Sequence, residues 1–433
     1  SVEMSDTPNI GFVRHEPISP SPPPVQQAGV VKWMRENLFS NWINSILTIL
    51  SIYFVAKIIL ASTPWMWNGV WTTSSLRECR EVLQGTSGAC WSVLAERWNQ
   101  MLFGFQYPVE AYWRPTLAFV FLLVSIAPVL FQKLPRKMLI FSAIYPFLAF
   151  WLIWGGTLLA PVVVALSLIV GYLAFVKIER LTGFATGLLS GVAAVVMVLY
   201  LGSFVTTALP EFIALEPVAS RDMGGFMLNL ILGTVCVSLS IPLGIVLALG
   251  RQSNMPIIKG ICVVFIEFIR GVPLITLLFV ANVVLSYFFP PGTNLDLILR
   301  VIIMITLFSA AYIAEVIRGG LAALPRGQYE AADSLGLDYP QAMRLIILPQ
   351  ALKISIPGIV NVAVGLFKDT TLVSVISMFD LVGMIRGPIS SSTAWTGIYW
   401  ELYLFAILLF FVVCYGISQY SQWLERQLRT DHH

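Results

Sequence analysis

The sequence predicts an all-α fold: a polytopic helical bundle of about ten transmembrane helices. Three observations predict it. The chain is 57% hydrophobic and only 11% charged, where a soluble domain carries roughly 25% charged residues. Its mean hydropathy is +0.81 over 433 residues. The apolar residues also gather into runs close to the 20 or so residues that a helix needs to cross hydrocarbon, and a lipid-embedded backbone must satisfy its own hydrogen bonds, as a helix does. The runs fall at approximately 43–62, 115–131, 138–154, 158–176, 184–206, 225–249, 261–288, 297–317, 352–377 and 400–422. A net charge of +3 gives no reason to expect nucleic acid as a partner; the lipid bilayer is the expected one.

Residues 1–30 are polar and proline-rich, with PISPSPPP at Pro17–Pro24, and are too poor in apolar side chains to form a core. They read as a cytoplasmic tail. Val31, Met34, Leu38 and Trp42 then recur at helical spacing beside Lys32 and Arg35. That pattern suits either a short helix on the membrane interface or the start of the first span. Lys57 stands alone in that span and is expected to snorkel toward the headgroups. Lys133, Arg136 and Lys137 share one short loop, and Arg318, Arg326 and Arg344 share another. With these loops cytoplasmic, most of the 26 basic residues lie inside, so both termini are expected there. Gly155, Gly156 and Thr157 leave room only for a tight hairpin between the third and fourth spans.

The chain therefore divides into 1–42, a tail with an interfacial helix; 43–221, an N-terminal transmembrane region with an external loop at 63–114; and 222–433, a C-terminal core with a cytoplasmic loop at 318–351. The external loop holds Cys79 and Cys90 on the oxidising side, where they can form a disulfide or remain buried thiols.

Enzymatic chemistry has little to build on. No Gly-Lys-Ser or Gly-Lys-Thr phosphate loop and no G-x-S-x-G elbow occurs. His15, His432 and His433 all lie in the tails, and no metal-ligand spacing is present. Ionisable residues inside spans are costly and mark function or a buried pair. Glu267 and Arg270, in IEFIRGVPL, lie three apart, where they can pair with each other or face a cavity; Gly271 and Pro273 follow and weaken the helix. Glu315 precedes Arg318 by three residues. Lys368 and Asp369 precede Thr370 and Thr371 in LFKDTTLVSVIS. Adjacent helical residues point about 100° apart and pair poorly, so Lys368 and Asp369 each need a partner elsewhere. Together Glu267, Arg270, Lys368 and Asp369 can meet the carboxylate and ammonium of an amino acid in a cavity near the midplane, and Gly271, Pro273, Thr370 and Thr371 are expected to line the same substrate site.

The stretch EAADSLGLDYPQAMRLIILP, Glu330–Pro349, is polar and helix-prone between two spans. Tyr329, Ala332 and Leu335 recur at helical spacing, and Gly336 suits the left-handed residue that ends a helix. Asp338 can cap the next helix with Pro340 in its first turn. Ala331 and Ala332 leave a low surface for another protein. The alternative is a plain connector between spans.

The spacing EAA, three residues, G, nine residues, I-x-L-P resembles the cytoplasmic loop of permease subunits in bacterial ATP-binding-cassette (ABC) importers. EFIRGVPL, AAYIAEVIRGGLAALPRGQYEAADSLGL, LPQALKISIPGIVN and KDTTLVSVIS resemble the polar-amino-acid subfamily over residues 222–425, a five-span permease core. The long N-terminus with extra spans resembles the M-type permease of general L-amino acid importers. The resemblance implies a non-enzymatic inner-membrane subunit that forms the translocation path for an amino acid. Its expected partners are a second permease, two ATPase subunits that bind ATP-Mg, and a periplasmic amino acid-binding protein; this chain itself is expected to bind no cofactor. It also implies an ATPase-coupling helix at Tyr329, Glu330, Ala331, Ala332, Gly336 and Leu337. A self-sufficient secondary transporter is the competing class; it predicts internal repeats, and no second copy of the loop occurs in residues 1–220.

Overall fold

The computed structural model describes residues 29–131, 133–284, 287 and 295–429. The tail at 1–28 and all three histidines lie outside the described residues. Two compact units emerge: residues up to Gly69 with Gly85–Ala89, and Val70–Gln84 with Cys90 onward.

In the first unit, α1 (Val30–Asn37) carries Lys32 and Glu36 3.7 Å apart. Its Val30, Val31, Trp33 and Met34 are all exposed, as suits a helix lying on an interface. Asn41 caps α2 (Trp42–Trp67) by accepting from the Asn44 amide. No residue of α2 is buried, although it is apolar along its whole length. Lys57 extends over the Tyr53 ring, 5.8 Å from its centre.

In the second unit, each of the remaining nine runs becomes helical. These helices are α5 (Trp113–Leu130), α6 (Met138–Trp154), α7 (Leu159–Thr182), α8 (Phe184–Ala208), α9 (Gly225–Gln252), α10 (Pro256–Gly271) with α11 (Leu274–Phe279), α12 (Leu297–Ala322), α15 (Leu348–Asp369) and α17 (Trp400–Arg429). Among the described residues of the whole chain, eight helices are long and apolar enough to span singly; α6 is shorter, and α10 with α11 makes a span broken by 103°. The break falls at Val272–Pro273, where Pro273 cannot continue a helical ladder.

Small residues draw α7 and α8 together. A Cβ added at Gly191 would lie 3.0 Å from the Gly171 carbonyl and 3.1 Å from the Phe175 Cβ, so the backbones approach as in small-x-x-x-small membrane pairs. Gly191→Leu is expected to splay this hairpin and destabilise it by about 1–3 kcal/mol; an unchanged thermal midpoint in detergent would contradict the packing. Between α6 and α7 the predicted hairpin is stitched to a distant segment. Here β1 (Gly156–Thr157) pairs antiparallel with β2 (Ala214–Leu215), Gly156 opposite Leu215.

Packing does not break at residue 221. Ala118 of α5 and Leu152 and Ile153 of α6 share a core with Leu228 and Leu232 of α9, Leu278 of α11 and Val301 and Ile305 of α12. The external segment is equally integrated. Its helices α3 (Leu76–Leu83) and α4 (Ser92–Phe103) are joined through a Cys79–Cys90 disulfide with Cα atoms 6.0 Å apart. This cap packs with Phe226, Phe367, Trp395 and Leu402. The Cys90 amide donates to the Glu401 carboxylate at 2.9 Å, and the Trp395 indole donates to Glu96 at 2.8 Å. At the start of α9 a Cβ on Gly104 would meet the Gly224 backbone at 2.8 Å. Sequence pattern separates these regions; close backbone approach and buried polar pairs fuse them.

Candidate functional site

The loop end of the bundle is built much as the sequence predicts. Helix α13 (Arg326–Ser334) ends in a Schellman turn: Gly336 has φ +70°, its amide donates to Asp333, and the Leu337 amide donates back to Ala332. Asp338 then caps α14 (Tyr339–Ala342) in a reciprocal box with Gln341. Gln350 donates to Gln328 at 2.9 Å, and Tyr329 packs on the core of Ile313, Ile317, Leu321 and Ile347. One expectation is corrected. Ala332 does not offer a low outer surface; it is 1% exposed and seats α13 on its own chain. The outward face is made by Glu330, Ala331 and Leu335, with Tyr339 and Leu345 beyond it.

The four charged residues expected to share one cavity do not meet. Glu267 does not pair with Arg270: it accepts from Arg251 of α9 at 2.8 Å, while Arg270 lies 3.6 Å from Glu315 of α12 and 5.6 Å from the centre of the Tyr312 ring. An exposed i,i+3 pair is worth only about 0.2–0.5 kcal/mol. Glu315 offers more, because it lies within 3.4 Å of Arg251 and 2.9 Å of the Arg318 Nε as well. Ser355 lies level with this layer, 3.4 Å from the Val316 carbonyl. Lys368 stands thirteen residues further along α15, about 20 Å away at the helical rise. Lys368 is exposed and Asp369 half-buried at the opposite end of the bundle. Gly271 and Pro273 are exposed at the α10–α11 break.

Thr370 is a second correction. It is fully buried, donating to the Phe367 carbonyl at 2.7 Å and accepting from Asn229 at 2.9 Å, so its hydroxyl is engaged within the fold and does not line an open cavity. Thr371 donates to the Lys368 carbonyl at 2.8 Å.

The Thr370 bonds belong to a network that sequence reasoning missed. Asp380, with no exposed surface, caps α16 (Leu381–Met384) by accepting from the Val382 and Gly383 amides, and it accepts from Asn229 at 3.2 Å. Asn229 in turn accepts from the Leu381 amide at 3.1 Å. The only sequence signal was a lone acid before a four-residue apolar run. Burial pushes the Asp380 carboxyl up from 3.8 to about 6 despite these donors. Because the folded state then holds its proton more tightly than the unfolded state, this residue's contribution to stability is full below pH 4 and lost as pH rises to 6. The loss is about 3 kcal/mol at most. Asp380→Asn is expected to flatten that part of the pH dependence of the thermal midpoint; an unchanged slope would contradict the assignment.

The fold is thus a polytopic bundle with one bent helix pair and a structured helix-turn-helix loop among the described residues. Residues 240–430 match the family described as binding-protein-dependent transport system inner membrane component. Over 99% of its length the chain is 52% identical to the whole of BztC, a glutamate/glutamine/aspartate/asparagine transport system permease protein of Rhodobacter capsulatus. It is 38% identical to YhdY, an inner membrane amino-acid ABC transporter permease protein of Escherichia coli, over 95% of this chain and 96% of that one. A solved structure, an amino acid ABC transporter with histidines, is 32% identical, covering 47% of this chain and 92% of its own, with a TM-score of 0.42. The chain belongs to the family of amino-acid ABC transporter permeases. It is thus a multi-pass inner-membrane transporter subunit, not an enzyme; an ATPase subunit and a binding protein work with permeases of this family.

Proposed function

We propose that this chain is one of two permease subunits that import polar L-amino acids, glutamate, glutamine, aspartate and asparagine foremost. Two ATPase subunits, holding ATP-Mg, dock on α13. A periplasmic binding protein delivers the cargo to the end capped by α3 and α4. Both termini face the cytoplasm. The 52% identity to BztC over the full length supports the cargo set. The Cys79–Cys90 disulfide lies in the cap, at the end away from the loop, and disulfides persist on the oxidising side of a membrane. The excess of Lys and Arg in the loops at the other end agrees.

The observation that carries the coupling assignment is α13 itself: a helix held by a Schellman turn and by Gln328–Gln350, turning Glu330, Ala331 and Leu335 outward. In this reading Lys368 meets the cargo's α-carboxylate, Asp369 its α-ammonium, and Thr371 supports both. Glu267, Arg270, Gly271 and Pro273 belong to the exit side. Uptake by the reconstituted importer is expected to require ATP and the ATPase; uptake by this chain alone would reject the reading. Lys368→Ala with Asp369→Ala is expected to cut uptake by at least about thirtyfold, a loss of about 2 kcal/mol when both charged contacts to the cargo are removed. Wild-type uptake at normal abundance would remove both residues from the substrate site.

A further inference from the structure

Glu315 is the centre of a five-residue ion network joining three helices just inside the loop end. Its Oε1 accepts from Arg318 Nε at 2.9 Å, three residues along the same helix. Its Oε2 lies 3.4 Å from Arg251 at the end of α9 and 3.6 Å from Arg270 near the end of α10. Glu267 adds a second link from α10 to Arg251, at 2.8 Å. Three guanidinium groups thus share two carboxylates, and Glu315 alone touches all three. Its side chain is only 22% exposed, so solvent screens these contacts less than it screens ordinary surface pairs.

The network sits between two elements that behave differently. On one side α12 runs directly into α13 through Ala323–Pro325, so any load on α13 reaches Arg318 and Glu315 along one backbone. On the other side α10 ends at a break with room to move: a Cβ on Gly271 would meet nothing within 4 Å, and Val272 and Pro273 are extended. Beyond the break α11 is held fast, with Leu274, Leu277 and Leu278 buried. On α10, Ile266 and Ile269 are buried, whereas Ile261, Val264 and Phe268 are exposed.

We infer that Glu315 is a positioning residue that transmits movement of the α13 loop to α10, turning α10 as a lever about the Gly271–Pro273 break. Ile266 and Ile269 share cores with α12, and the ion network fixes the loop-end turn of α10 on that packing, since the chain between the two helices passes through α11 and on to Asp296. Opening of the loop-end mouth then follows α12. This inference rests on the proposal that α13 receives the ATPase.

The test uses the complete importer in proteoliposomes. Glu315→Gln keeps the shape but leaves three guanidinium groups with one carboxylate. Uptake per ATP hydrolysed is expected to fall at least about tenfold while ATP hydrolysis continues. Adding Arg270→Gln removes an unpaired cation, so the double variant is expected to recover thermal stability without recovering uptake per ATP. Recovery of both together would reduce Glu315 to charge balance and overturn the inference. A readout independent of these variants uses spin labels at Ile257→Cys and Ala322→Cys in an otherwise active importer. The expected α10–α12 distance stays constant within about 2 Å between nucleotide-free and ATP-bound states, because linked elements shift as one body. A change of about 5 Å or more would mean that the network breaks in the cycle, and would overturn the inference. Failure of the docking proposal would be seen separately, as full coupling in a variant of α13 itself.

Discussion

Gly336→Val lowers ATP-driven uptake at least about tenfold while leaving the subunit inserted and ATP hydrolysis running; that is the expected result, since about 1.4 kcal/mol separates tenfold populations. Gly336 closes α13 with φ +70°, a conformation that costs an ordinary L-residue roughly 1–2 kcal/mol and a β-branched one more. The position is open: an added Cβ meets nothing within 4 Å. The effect must therefore come from the backbone turn and not from a clash. This makes the prediction specific, because Gly336→Asn, which tolerates the left-handed region, is expected to retain most coupling. Glu330→Arg reverses a charge on the exposed face without touching the turn and is expected to uncouple as well. If Gly336→Val and Glu330→Arg both transported at wild-type efficiency per ATP, the docking surface would lie elsewhere on the loop end.

Asp380→Leu is expected to destabilise the protein by about 2–5 kcal/mol, because neutral buried donors lose their acceptor. The substitution supplies no acceptor. The Val382 and Gly383 amides lose their cap, and the Asn229 amide loses one of its two acceptors while keeping Thr370. Each buried donor left unmade costs about 1–3 kcal/mol. The lesion would loosen the junction where Gly225 also bonds Phe379, its amide 2.7 Å from that carbonyl. Asn229→Leu is expected to cost less, and the double variant less than the sum, because both changes break the same contact. Strict additivity in denaturation midpoints would separate the two residues and refute the network.

Much of this architecture was legible in the residues. The ten apolar runs each became a helix or a helix pair, because hydrocarbon leaves a spanning backbone no other partner than itself. The turn at Gly336, the cap at Asp338 and the position of Pro349 in the first turn of α15 were local, and local chemistry determines local structure. The break at Gly271–Pro273 was legible for the same reason. Misreadings arose wherever a side chain chose among partners distant in sequence. Glu267 and Arg270 are three residues apart, yet each found a better partner on α9 or α12. Ala332 had a low side chain suited to a surface, and the fold turned it inward. Thr370 read as a pathway residue and Asp380 carried no motif, and burial beside Asn229 made them one network.

By itself the sequence determined the all-α membrane class, the order of the apolar helices, the capped helix of the loop and, through its motifs, the permease family. Those features depend on hydropathy, capping and backbone stereochemistry, which act over a few residues to a few turns. Only the tertiary structure decided that the Cys79–Cys90 cap joins the core, that Lys368 and Asp369 share no contact with Glu267 or Arg270, and that Glu315 gathers three guanidinium groups. The physical reason is that a buried charge or amide accepts the nearest partner that desolvation leaves to it, and the helices that bring those partners close are set by packing across the whole chain.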